Sequence, residues 1–152
     1  MDKDKRDKKL RKLRIILDTN FLLIPARLRV DIFEEIRRIM NEPYELCVVE
    51  ETINELNSLV NKGGKDGVSA KVALELIKKK GINVIKTKSF LNRTKFRSLD
   101  TALDADGVII DTIKKEPRRF IIATQDKELK KRVKALGTRV IVLRKKTHLL
   151  IE

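Results

Sequence analysis

Short apolar runs that stop abruptly at polar, acid-bearing triplets constrain this chain most. Ile15-Ile16-Leu17 is followed at once by Asp18-Thr19-Asn20, and Ile121-Ile122-Ala123 by Thr124-Gln125-Asp126. The runs are continuous rather than alternating, as strands buried on both faces are. Helical patterns separate them, as in βα repeats. The expected strands are 14–17, 45–49, 83–85, 119–124 and 139–143. The expected helices are 31–40, 51–60, 68–80, 104–116 and 126–136, each with apolar residues recurring at three- and four-residue intervals. Asp31, Asp104 and Asp126 suit helix N-caps, and Gly81 and Gly137 suit the residues just past helix ends. Val108-Ile109-Ile110 has strand propensity, but Val108, Ile109 and Ile113 follow the helical period after Asp104. Phe21–Ala26 reads as an apolar connector broken by Pro25, and Asn61–Gly67 as a mobile loop. In the helix after that loop, Val68, Val72, Leu76 and Ile77 are expected to face inward. The fold class is α/β: a three-layer α/β/α sandwich around a mostly parallel five-stranded sheet. Residues 1–13 form a basic flexible leader, 14–146 the domain, and 147–152 a C-terminal tail.

In open α/β sheets, ligands collect beyond the carboxyl ends of the strands. Asp18 and Asp126 follow two strands, while Glu55 and Asp106 lie near helix starts. Each acid has an ordinary explanation: Asp126 and Asp104 as caps, Glu55 as a solvated helix edge. Asp18 is the hardest to explain that way, because a carboxylate closing a fully apolar strand is costly to bury without a partner. Converging carboxylates would repel one another and would suit a hard divalent cation, Mg²⁺ or Mn²⁺. Such an ion acidifies water and offsets charge building on a phosphodiester. Asn20 and Thr124 are placed to orient carboxylates or waters.

Composition narrows the alternatives. Thirty-six Lys and Arg against 22 Asp and Glu give a net charge of +14, which suits a polyanionic partner such as nucleic acid. The charged fraction itself, with a single glutamine, also resembles ion-pair-rich, heat-adapted sequences, although that does not explain its sign. Lys127, Lys130 and Lys131 follow Asp126. Residues 86–98 carry Lys88, Arg93, Lys95 and Arg97 with Phe90 and Phe96 interleaved. That mixture suits phosphate contact and base stacking on a single strand, or equally a surface loop pinned by two Phe side chains. One cysteine, Cys47, excludes an intramolecular disulfide and reads as a buried small residue. The sole histidine, His148, lies far from any Ser or Cys device. There is no glycine-rich phosphate loop, no apolar run of membrane-spanning length and no secretory leader. A cytoplasmic protein without a membrane partner is expected.

Four segments, ILDTNFLL at 15–22, VVEETINEL at 48–56, ALDADGVIIDTI at 102–113 and IIATQDKELKKRV at 121–133, resemble in order the acidic motifs of the PIN-domain nucleases. The resemblance implies a Mg²⁺- or Mn²⁺-dependent endoribonuclease acting on single-stranded RNA, with Asp18, Glu55, Asp106 and Asp126 as metal-binding acids. It lies nearest the branch that includes the small-subunit ribosomal-RNA processing nuclease, and is less like the toxin ribonucleases of toxin–antitoxin pairs. Many members carry a second acid directly after the third ligand, where this chain has Gly107. That departure leaves open whether Asp104 or Asp106 is the third ligand. It also leaves room for a non-catalytic RNA-binding ribosome-assembly factor on the same fold. Homodimers are common in the family, so a second copy of the chain is a further candidate partner.

Overall fold

The computed structural model describes residues 12–86 and 104–152. Strand β1 (Leu13–Leu17) runs between β2 (Tyr44–Val49) and β4 (Phe120–Ala123), parallel to both. Beyond β2 lies β3 (Asn83–Ile85), and beyond β4 lies β5 (Arg139–Arg144), again parallel. The chain thus builds outward from β1 in one direction and returns to build in the other. This reversal opens a crevice at the carboxyl ends of β1 and β4.

Side-chain alternation along each strand feeds two cores. Ile15, Leu17, Val48, Ile121 and Ile141 point to one face. There they meet α1 (Thr19–Leu22), α2 (Ile24–Leu28), α3 (Ile32–Ile39), α4 (Glu50–Lys62) and α5 (Gly64–Lys79) through Phe21, Ile32, Ile36, Leu56 and Ala73. Ile16, Cys47, Ile122 and Val140 point to the other face. They pack on α6 (Ala105–Ile113) and α7 (Lys127–Ala135) through Val108, Ile109, Leu129 and Val133. The three layers are those the sequence predicts. Cys47 is fully buried, and burial pushes its thiol pKa up.

Among the described residues the sheet has six strands, not the five expected. Residues His148–Ile151, within the expected tail, form β6 antiparallel to β5. Helix α3 holds this edge strand. The Glu35 carboxylate accepts the Leu149 N–H (3.0 Å), and the Arg38 guanidinium donates to the Leu149 carbonyl (2.9 Å). Arg38 in turn holds the Glu35 carboxyl down to about 2. A distant helix therefore satisfies the edge's main-chain groups, which no local pattern in 147–152 discloses. The reversal into β6 places Lys145 (φ 53°) and Lys146 (φ 59°) in the left-handed region, at a cost of roughly 1–2 kcal/mol each.

Two connections also differ from expectation. Phe21–Ala26 is helical, because Pro25 falls in the first turn of α2, where its missing N–H costs nothing. The expected loop at 61–67 is largely helix. α4 continues to Lys62, Gly63 (φ 75°) turns the chain, and α5 begins at Gly64. Gly67 permits the close approach of the two helices: a Cβ there would lie 3.0 Å from the Leu59 carbonyl oxygen. Ile77 is buried as expected, but the other buried hydrophobic residues of α5 are the small Ala70 and Ala73. Val68 is left 66% exposed rather than inward, and Val72 and Leu76 are half-buried. Residues 1–11 of the expected leader and most of the basic segment at 86–98 lie outside the described residues.

Candidate active site

The crevice beyond β1 and β4 contains the acids that the sequence singled out. Asp18, Glu55, Asp104, Asp106 and Asp126 all line one cleft of about 390 Å³. Four separate stretches of chain supply them. Asp18 terminates β1 and caps α1, Glu55 lies on α4, Asp104 and Asp106 open α6, and Asp126 caps α7.

Hydroxyl groups fix the two most constrained carboxylates. Asp18 is 3% exposed. Its Oδ1 accepts the Thr19 N–H (2.8 Å) and its Oδ2 accepts the Thr124 hydroxyl (2.7 Å). The Thr124 Oγ1 also accepts the Asp126 N–H (3.0 Å), tying the segment after β4 to the acid after β1. The Thr19 hydroxyl donates to Glu55 Oε2 (2.6 Å), and the Ala105 N–H donates to Glu55 Oε1 (3.3 Å). Thr19 alone therefore holds two acids on different elements, Asp18 through its N–H and Glu55 through its hydroxyl.

Asp126 and Asp104 act as caps and line the cleft as well. Asp126 Oδ1 accepts the N–H groups of Glu128 (2.9 Å) and Leu129 (3.3 Å), and Asp104 Oδ1 accepts that of Gly107 (2.9 Å). One oxygen of each carries those bonds, which leaves its other oxygen out of the cap. Asp106 makes no such bond. Burial pushes its pKa up to about 7, reinforced by repulsion from Asp18, Asp126, Asp104 and Glu55. Asp18 is also raised, first by burial, with Thr124 and Thr19 opposing and Glu55 and Asp126 adding to the rise. The cleft is therefore short of positive charge.

An oxygen-only donor set of this kind fits a hard divalent cation. Among the described residues, no group of three or more carboxylate, imidazole or thiol side chains is drawn together tightly enough to hold an ion unaided. Mg²⁺ needs no such cage, since one or two carboxylates usually bind it directly while several waters complete the shell. Asp18, Asp106, Asp126 and Glu55 are the residues that would hold such an ion.

Asn20 lines the cleft mouth, exposed to solvent, and Thr124 bridges two acids from beneath. Lys127 and Lys130 lie outside the cleft, on a neighbouring groove, and Lys130 faces Glu152 at 3.4 Å. Lys131 is exposed on α7. Lys88, Arg93, Lys95 and Arg97 fall outside the described residues. Sequence reasoning missed Thr19, Ser58 and Lys62, which also line the cleft. Ser58 and Lys62 follow Glu55 by three and seven residues, so helical periodicity could have placed them on its face.

The sequence matches the PIN like domain family over residues 15–146. A curated relative, Ribonuclease VapC4 of Methanocaldococcus jannaschii, is 29% identical over 139 residues, covering 89% of this chain and 93% of the relative. Among solved structures, the PIN domain endonuclease Utp24 superposes with a TM-score of 0.68 at 18% identity, covering 91% of this chain and 90% of that one. A domain of a functionally unknown protein from Methanocaldococcus jannaschii gives 0.53 at 20% identity, over 87% and 91%. The two superpositions concern the fold. The sequence match spans the layers and every acid of the cleft, and by it the chain belongs to the PIN-like domain family.

Proposed function

We propose that this chain is a divalent-metal-dependent endoribonuclease that cleaves single-stranded RNA in the cytoplasm. The observation that carries this reading is the convergence of Asp18, Glu55, Asp106 and Asp126, from four separate stretches of chain, on one cleft. A bound Mg²⁺ or Mn²⁺ would acidify water and offset negative charge developing on the scissile phosphodiester. The chain's own residues fix the geometry for that event. Thr124 and Thr19 lock the Asp18 and Glu55 rotamers by donating to them. Asp106, raised to about 7, exchanges its proton near neutral pH. Lys62, on the cleft wall, offsets phosphate charge. As third ligand we favour Asp106 over Asp104, because Asp104 is exposed to solvent whereas Asp106 is half-buried and opposed by Asp18, Asp126, Asp104 and Glu55.

Ribosomal-RNA processing is the setting we favour, supported by the resemblance of DTNFLLIP at 18–25 and ATQDKELKKR at 123–132 to the motifs of that branch. A toxin ribonuclease neutralised by a partner protein is the second reading, supported by the sequence kinship with Ribonuclease VapC4. Growth arrest on expression, relieved by a co-expressed neighbouring gene product, would select the second. The enzymatic proposal itself is tested with labelled RNA. Cleavage of single strands is expected in Mn²⁺ or Mg²⁺ and not in EDTA, with duplex RNA resistant. Undiminished cleavage in EDTA, or steeply salt-dependent binding with no cleavage in either metal, would defeat it.

A further inference from the structure

The acidic cleft continues into a basic groove. Asn20 and Asp126 line both the cleft and an adjoining hollow, and Gln125 links that hollow to a groove of about 320 Å³. Lys127 and Lys130 on α7 form one wall of the groove, and the β5–β6 turn, Arg144, Lys145 and Lys146, forms the other. Glu152 engages Lys130, Lys134 and Arg144. Among the described residues, Lys127, Lys145 and Lys146 have no ion-pair partner. The turn is also costly as built. Lys145 (φ 53°) and Lys146 (φ 59°) occupy conformations that Asn and Gly adopt far more readily. The hairpin reversal itself requires those dihedrals; what points to a ligand is that two lysines without ion-pair partners among the described residues line, with Lys127, a groove that opens toward the acidic cleft.

We infer that this groove binds the sugar-phosphate backbone of a single-stranded RNA on one side of the cleavage point, with Lys127, Lys145 and Lys146 contacting successive phosphates. The inference rests on the ribonuclease reading for its ligand. The groove adds positive charge beside a cleft whose five acids face a single described lysine, Lys62. It carries the strand past Gln125, holding the scissile phosphate among carboxylates that would otherwise repel it.

The double variant Lys145→Asn/Lys146→Gly removes both charges and relieves both strained positions, so a merely structural role and a binding role predict different results. Binding is read by fluorescence anisotropy with a short labelled single-stranded RNA in EDTA, across a salt series. The expected result is an unchanged or higher melting temperature and affinity about tenfold weaker. The slope of log affinity against log salt should be shallower by about 1.4, at roughly 0.7 for each phosphate no longer neutralised. Lys127→Ala should weaken binding in the same direction. Wild-type affinity and slope in the double variant would overturn the inference. So would tighter binding of poly-glutamate than of RNA to the wild-type protein, which would assign the groove to an acidic protein segment. A chain that binds RNA through these lysines yet cleaves nothing keeps the groove and defeats the ribonuclease reading. Cleavage whose KM is indifferent to the double variant does the reverse.

Discussion

Asp18→Asn is expected to reduce RNA cleavage by about 1,000-fold or more while leaving the melting temperature unchanged or raised. A divalent cation supplies several kcal/mol of transition-state charge stabilisation, and each 1.4 kcal/mol or so is a factor of ten in rate. Asp18 is the most enclosed of the cleft's acids, so its replacement would strike the best-fixed of the proposed ligands. The fold should tolerate the change. The amide oxygen still accepts the Thr19 N–H, and the amide NH₂ faces Thr124 Oγ1, which can accept from it. Removing the charge also relieves repulsion from Glu55 and Asp126. Single-turnover cleavage together with thermal melting separates the two effects. Wild-type cleavage by this variant would remove Asp18 from the chemistry.

The second large effect is a pH-dependent stabilisation by metal. Asp106 has a folded pKa of about 7 against an ordinary value of 3.8. Between those values the folded chain holds more protons than the unfolded one. Metal-free stability therefore falls as pH rises from about 4 to about 7, and the penalty is fully present above that. A cation bound at the cleft would take the deprotonated form and cancel the repulsion. With Mn²⁺ at about 100 times its dissociation constant at pH 8, the melting temperature should rise by roughly 5–10 °C. At about pH 5, only about one part in a hundred of Asp106 is ionised, and the same Mn²⁺ concentration should give a rise of roughly 1 °C. Asp106→Asn should raise the metal-free melting temperature at pH 8 and shrink the gain from Mn²⁺. An equal gain at both pH values would detach Asp106 from the metal.

Much of this was legible before any coordinates. The continuous apolar strands and the helical periods of 31–40, 104–116 and 126–136 report burial and turn geometry that local sequence dictates. Asp31, Asp104 and Asp126 cap their helices as their positions suggest. The acids could be nominated because their place at strand ends and helix starts is itself local. What was not legible depended on partners remote in sequence. β6 pairs with β5, and its outer edge is held by Glu35 and Arg38, more than a hundred residues away, which bond the Leu149 main chain. The α4–α5 corner is tight because Gly67 lets two backbones approach. Thr19 became visible as a supporting residue only when its hydroxyl was seen to reach Glu55, and the strain at Lys145 and Lys146 only when β5 was seen to fold back on itself.

Crystals grown in Mn²⁺ test most directly the sharing of one cation by acids distant in sequence. Anomalous scattering is predicted to place a manganese peak in the cleft, with Asp18 and at least one of Glu55, Asp106 and Asp126 as direct ligands and waters completing the shell. A cleft without a peak at saturating Mn²⁺, or manganese bound only elsewhere on the surface, would contradict it.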